Sequence, residues 1–524
     1  CDKNAYRRET TTMSMINKFG DKIKGCLSTF DRMIFKGHFC FMHKKENRYY
    51  LLSQEKVLLR DFGKFAQKVT EQIKDTAIKI AEESDRPYRY LNSPKQSKEK
   101  TAKEIMEADN IQQGLICVLS SVELCRSFNV VLNKKRNELE LNFMDRKCMY
   151  FYFYYLDEEF GFMHIRLQTW FPFEIQVYIN GREYLSRQLD AAGITYERYE
   201  NSFLSISELE KAQELANRLL TKKWDRTFDS FAHKVNPYLR RINEIFGKGY
   251  FWVLDQCEYA TDVMFKSRED LLSIYPDLVE HASLSFNSKD VMTFLGRKLH
   301  NNFLGEVVSD KKCRPQGVRV KHRMKENSIK KSDKWSVLRV ETTINNPREF
   351  KIYKEVVRKG ELCKAWIPMG KSVSNLYRYA QVSHESNNRY LNALSAVEAL
   401  SETVAELEEL CEAVQKNNKR YSGFNPVSKA SCDIFLAILN GGNNINGFTN
   451  KDIRRLLYPN LPANAVKKMS GRITRLFIKL RAHKLIVKIP HSFRYTVTKK
   501  GIRVLSSALK LKRKDFPHLL LSAA

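Results

Sequence analysis

Four carboxylates stand in segments that alternate like strands. Asp31 lies in "STFDRMIF", Glu258 and Asp262 in "DQCEYATDVMF", and Glu341 in "SVLRVETTINN". Acids carried by separate strands can converge on divalent cations, which polarise a phosphate and activate water. The chemistry they suggest is metal-dependent cleavage or transfer of a phosphodiester. For any one of them, the competing reading is an ion pair with a nearby Arg or Lys. No Walker motif, GxGxxG, HExxH, GxSxG or kinase set is present. His300 and His322 are isolated, which suits structural roles better than metal ligation. The eleven Cys are scattered without a CxxC pair, which reads as reduced thiols in a cytoplasm.

The charge balance narrows the substrate. Ninety Lys and Arg against sixty Asp and Glu give a net charge of +30 over 524 residues. Such an excess repels itself and calls for a polyanionic partner, nucleic acid before an anionic membrane. Two segments are dense in cations. "GRKLH" at 296–300 offers Arg297 and Lys298, and 314–334 offers Arg314, Arg319, Lys321, Arg323, Lys330 and Lys331 as contacts to a nucleic-acid backbone. The aromatic run "CMYFYFYYL" at 148–156 is too short to span a membrane and reads as a buried strand.

The elements that must position these groups form an α+β chain of mixed strand and helix followed by a long helix and a terminal helical module. Residues 1–12 are expected to be a disordered leader, with Met13 or Met15 as the start. An α/β region follows over 13–110, with a strand or hairpin at 20–39 and helix over 54–84. A middle region at 111–249 is strand-rich and then helical: a hairpin turns through 157–161, Ser205 and Glu208 fit a capping box, and a helix covers 225–246. A basic strand-rich region occupies 250–387, with turns at "KENS" and "SDK". Val397, Leu400, Val404, Leu407, Cys411 and Val414 step by three and four among glutamates, predicting an acidic amphipathic helix over 388–417. It packs on its own domain or forms a homodimer seam through 397–414. Residues 418–427 read as a linker.

Over 428–514 the periodicity predicts helix, helix, helix, hairpin, helix. Thr449 is an N-cap, Pro459 a stop, and "RYTVTKKG" a strand turning into the last helix. Residues 464–514 hold sixteen Lys or Arg and no Asp or Glu. The third helix presents Lys468, Arg472, Arg475 and Lys479 opposite its apolar side, and Lys488, Arg494, Lys499 and Lys500 follow at the hairpin and the next helix. This order of elements, with "LRAHKLI" and "YTVTKKG", resembles the winged helix-turn-helix of the MarR and PadR regulator families. The resemblance implies that the third helix enters a DNA major groove and the hairpin meets the backbone.

Two further resemblances bear on function. "SIKKSDKWSVLRVETTIN" is similar to a strand pair of rolling-circle replication initiators, matching it at Lys330, Asp333, Lys334, Leu338, Arg339 and Glu341, with Ser332 where a Tyr is usual. Those initiators also use a His-hydrophobic-His metal pair, which this chain lacks. As a whole, with "GRKLH", "RVETTIN" and "NRYLNAL", it resembles a widespread bacterial family of similar length that ends in a winged helix and has no settled activity. That suggests mobile-element biology.

The expectation is therefore a cytoplasmic protein that binds double-stranded DNA through residues 428–514, in the manner of a transcription regulator or a mobile-element protein, with no cofactor. One alternative is a metal-dependent nuclease, replication initiator or transposase-type enzyme. Its catalytic acids would come from Glu341, Glu258, Asp262 and Asp31, with Mg²⁺ as the cation. The other is an RNA-associated protein.

Overall fold

In the computed structural model, residues 14–512 are described apart from 94, 298–304, 315–316, 359–360, 396–403, 417, 441–446 and 491. The proposed leader therefore lies outside the described residues. Strand β1 (Ile23–His38) sets the pattern for the rest. Its second half alternates, with Met33, Phe35 and Gly37 buried and Arg32, Ile34, Lys36 and His38 partly exposed. One face is thus core and the other is half open.

The following strands are β2 (Tyr88–Tyr90), β3 (Gly114–Asn133), β4 (Glu138–Asp157), β5 (Gly161–Gln168), β6 (Ile175–Asn180), β7 (Tyr196–Tyr199), β8 (Ser202–Ile206), β9 (Phe251–Phe265), β10 (Val307–Arg314), β11 (Gly317–Met324), β12 (Asn327–Lys334) and β13 (Val337–Ile344). All but β7 and β8 join β1 in one eleven-stranded sheet ordered β10-β11-β12-β13-β9-β1-β6-β5-β4-β3-β2. The regions expected separately at 13–110, 111–249 and 250–387 each contribute strands to it. Long-range pairing of β1 with both β6 and β9 joins them, and periodicity within a segment carries no sign of it. The chain is α+β, as expected.

Helices pack on both faces. On the core face, Leu376–Leu394 lies across β9 and β13, where Asn387 Nδ2 donates to the Tyr259 carbonyl at 3.1 Å and Asn387 Oδ1 accepts from the Thr342 hydroxyl at 2.7 Å. On the other face, helices Gly181–Ala191 and Leu209–Asn217 and the β7–β8 hairpin bury Leu185, Phe203 and Leu215 against Leu27, Met264 and Val337. They cover only the end of β1 that holds Leu27. A Cβ at position 181 would stand 2.4 Å from the Phe30 carbonyl, so glycine lets that helix start directly on β1 beside Asp31.

Local expectations met mixed outcomes. The hairpin at 157–161 forms, closing on the Asp157–Gly161 pair. The capping box at Ser205 does not: Ser205 pairs with Glu197 across β7–β8, and the helix begins at Leu209 without a side-chain cap. The helix expected over 225–246 is two helices, Trp224–Val235 and Leu239–Phe246, parted around Pro237, which lacks an amide donor. β12 continues through "SDK" and turns at Trp335, whose φ is +58°.

Beyond β13 come β14 (Lys351–Arg358) and β15 (Glu361–Pro368), a separate two-stranded ribbon. The expected helix over 388–417 is divided. Its first part completes the helix ending at Leu394, Val397 and Leu400 lie outside the described residues, and helix Val404–Cys411 joins the terminal module. There Leu407 and Leu410 pack on the module's core, while Glu406 and Glu409 pair with Arg503 and Lys500. Of the expected seam positions, Leu407 is thus used within the chain, whereas Cys411 is exposed and Val414 begins a strand. Strands β16 (Val414–Lys416) and β17 (Lys419–Tyr421) extend into the expected linker. Helices Lys429–Leu439, Asn450–Leu457 and Val466–Ala482 follow, then β18 (Ile486–Lys488), β19 (Tyr495–Val497) and helix Lys499–Lys510. Thr449 caps the second of these helices through a complete capping box with Asp452. Among the described residues no helix is long and apolar enough to cross a membrane.

Candidate metal centre

Strands β1, β9 and β13 are neighbours at the middle of the sheet. Register fixes which side chains share a face. Thr343 pairs with Glu258, Glu341 with Ala260 and Arg339 with Asp262, so these alternate residues all project to the half-open side. On β1, an irregularity between Phe30 and Met33 sets Asp31 beside Glu258. As a result Asp31, Glu258 and Glu341 each offer a carboxylate oxygen, and the three oxygens lie within 4.8 Å of one another.

Oxygens bound to one Mg²⁺ at about 2.1 Å lie at most about 4.2 Å apart. Three oxygens can include only one such trans pair, and the others lie about 3 Å apart. The carboxylates must therefore close in to seat an ion, and the all-oxygen donor set suits a hard divalent cation. The trio lines a cavity of about 330 Å³ together with Asn201, Lys330, Asp333 and Arg339. Asn201, in the β7–β8 turn, donates Nδ2 to both oxygens of Asp31 at 2.8 and 2.7 Å. Arg339 Nη1 donates to Asp31 Oδ2 at 3.1 Å. Glu341 is 2% exposed, and its buried Oε1 accepts no hydrogen bond of ordinary geometry. The Lys330 ammonium lies 2.5 Å from that oxygen as an ion pair. Burial pushes the Glu341 carboxyl up to about 7; Lys330 opposes the rise, and the negative charges of Glu258 and Asp31 add to it.

Asp262, the fourth sequence candidate, is not in the trio. It is fully buried and receives Arg182 Nη1 at 2.5 Å and Arg339 Nε at 2.8 Å. Those guanidinium groups hold its carboxyl below the usual range against desolvation. Its part is structural, because it anchors the arginine that in turn holds Asp31.

The basic segment divides by face. Lys321 pairs with Lys330, and Arg319 and Arg323 lie two residues to either side, so all four share the face of the trio. Arg314 and Arg319 line the same cavity. Desolvation and then the neighbouring cations Lys330, Arg319 and Arg323 lower the Lys321 pKa, a sign of concentrated positive charge. Gly317, with φ +134°, closes the β10–β11 turn over Asp333, whose carboxylate would stand 2.1 Å from any Cβ there. Lys331 points the other way. It is fully buried with its ammonium 4.1 Å from the Tyr275 ring centre, and burial lowers its pKa to about 7, so it cannot meet a phosphate backbone. Arg297 is tied to Glu349, donating to its carbonyl at 2.9 Å, and Lys298 lies outside the described residues.

In the terminal module Lys468, Arg472, Arg475 and Lys488 are exposed. Lys479 turns inward, donating to the Gly423 carbonyl at 2.9 Å with its ammonium 3.9 Å from the Phe424 ring centre. Arg494 donates to the Gly447 carbonyl at 3.0 Å, and Lys500 pairs with Glu409. The Lys499 side chain lies outside what is described.

Sequence reasoning passed over Asn201 and Arg182. Both act across the sheet, and no local pattern marks them. The chain matches no protein-family model, no curated relative and no solved structure.

Proposed function

We propose that this is a DNA-binding protein that performs divalent-metal-dependent phosphodiester chemistry at Asp31, Glu258 and Glu341. The observation that carries the reading is the meeting of three carboxylates from three adjacent strands within 4.8 Å, in a cavity that Arg314, Arg319, Lys330, Lys334 and Arg339 line together with the further acids Glu200 and Asp333. A cation held there would polarise a phosphate oxygen and lower the pKa of bound water. The chain's own residues supply the rest: Asn201 and Arg339 orient Asp31, and Arg314, Arg319, Lys321 and Arg323 offer positive charge to the backbone of the substrate.

Residues 429–510 are read as a winged helix delivering duplex DNA, supported by the order helix, helix, helix, hairpin, helix and by exposed Arg472 and Arg475 on the third helix. An enzyme of the replication-initiator or transposase class suits both parts, as does the motif holding Lys330, Asp333, Arg339 and Glu341, all of which line the cavity.

A second reading, DNA binding without catalysis, draws on the Lys330–Glu341 ion pair, which sets a positive charge against one acid of the trio without a metal. Incubating the protein with supercoiled, linear and single-stranded DNA and with structured RNA, in Mg²⁺, Mn²⁺ or EDTA, separates the readings. Metal-dependent nicking abolished in both Glu258→Ala and Glu341→Ala is expected. A salt-sensitive shift of duplex DNA without cleavage in either metal leaves only the second reading. A shift restricted to RNA overturns both.

A further inference from the structure

The β14–β15 ribbon rests on the protein by one side only. Ile352 is 5% exposed and Ile367 packs on the main core, whereas the opposite side leaves Tyr353, Val357, Leu362 and Trp366 48, 67, 69 and 64% exposed. These four are two register pairs, Tyr353 with Trp366 and Val357 with Leu362. The two rings lie 5.4 Å apart at 43°, presenting aromatic faces to solvent. Residues 351–368 carry five Lys or Arg against two Glu, a net +3 by subtraction. A second copy of this chain would bring the same positive charge to the same surface, so self-association is disfavoured. Aromatic faces among cations fit a polyanion with accessible bases. In a duplex the base faces are already stacked on each other, whereas an unpaired strand offers them.

The base of the ribbon points to where such a strand leads. β14 follows Arg348 and β15 runs into Lys371, and both residues line an open hollow of about 610 Å³ with Lys36 and Arg126. Glu174 and Asp255 offset part of this charge through Lys36 and Lys371. His38 and exposed Phe251 also border the hollow. Lys36 and His38 alternate onto the half-open face of β1 that carries the trio. Seven residues of strand, about 23 Å, separate His38 from Asp31.

We propose that the β14–β15 ribbon is a stacking arm for unpaired bases, and that the nucleic acid reaching the carboxylate trio is single-stranded or locally opened. The destination of the strand rests on the phosphodiester reading; binding at the arm does not.

The test uses the full chain, a fluorescein-labelled oligothymidylate and a blunt duplex of equal length, with anisotropy as the readout. Tyr353→Ala/Trp366→Ala is expected to weaken oligothymidylate binding at least about tenfold, the equivalent of losing one stacked base, and to change duplex binding less than about twofold. Trp366→Phe, which restores a ring, should recover most of the affinity. Equal losses for both ligands, or no loss, overturn the proposal. So does light scattering that shows a wild-type dimer and a monomeric double variant with unchanged oligothymidylate affinity. Cleavage by Glu258→Ala reports separately on the metal centre, so failure of one reading is distinguishable from failure of the other.

Discussion

Lys330 and Glu341 are register partners on β12 and β13, and their charged groups meet at 2.5 Å inside the carboxylate cavity. The ammonium is the nearest positive charge to the innermost acid of the trio and stands where a divalent cation would do the same work.

Lys330→Met therefore leaves a buried carboxylate without its counter-charge. Removing one partner of a buried pair costs roughly 3–5 kcal/mol, and the partial exposure of Lys330 puts this case at the lower end. The variant should melt lower than the wild type in EDTA. Mn²⁺ should raise its melting temperature more than it raises that of the wild type, because the ion replaces the lost charge. Equal rises in differential scanning fluorimetry would show that Lys330 and the cation do not compete for the same acids.

The raised Glu341 pKa, about 7 in the fold against 4.5 for the free carboxyl, gives a pH dependence with a definite sign. Between those values the folded protein holds a proton that the unfolded chain has lost. The contribution to stability is present below about 4.5 and lost as pH rises towards 7. Cation affinity runs the other way, since the ligand must be deprotonated. Mn²⁺ affinity measured by calorimetry should climb up to about tenfold per pH unit below 7 and flatten above it. In Glu341→Gln the slope should vanish.

Much of this site was legible in the chain, and the reason for the remainder is physical. Asp31, Glu258 and Glu341 stood out because acids in alternating segments are rarely there for burial alone. Asp262 shared that signature, and only the arrival of Arg182 from a helix eighty residues away makes it a structural anion. Lys331 looked like its neighbour Lys330, but a period of two sends adjacent residues to opposite faces. The terminal helices and hairpin followed from short-range signals such as Thr449 and Pro459. The joining of three segments into one sheet rests on pairs such as Arg32 with Asn180, which no window of sequence contains.

Asp262 holds two buried guanidinium groups, those of Arg182 and Arg339, and through Arg339 it supports Asp31. Asp262→Ala strands both cations, so its cost should reach or exceed about 3–5 kcal/mol. Asp31→Asn removes a charge but keeps a side chain that can hydrogen-bond, and should cost less. Urea unfolding followed by tryptophan fluorescence checks the order. A midpoint lower for Asp31→Asn than for Asp262→Ala would refute the anchoring role.

Arg472 and Arg475 stand exposed on helix Val466–Ala482, while Lys479 on the same helix is docked on Phe424 and the Gly423 carbonyl. Charge alone would rank the three alike for DNA binding; their environments separate them. Arg472→Ala/Arg475→Ala should weaken duplex binding and lower the magnitude of the slope of log K against log salt by about 2, since each phosphate contact contributes about 0.9. Lys479→Ala should leave that slope unchanged. It should instead lower the thermal stability of the terminal module, because it removes a cation–π contact and a hydrogen bond to the backbone. Titrations at several salt concentrations, run beside thermal melts of the full chain, test both halves. If Lys479→Ala reduces the slope as much as the double variant does, the docked lysine releases to meet DNA and the division by environment fails.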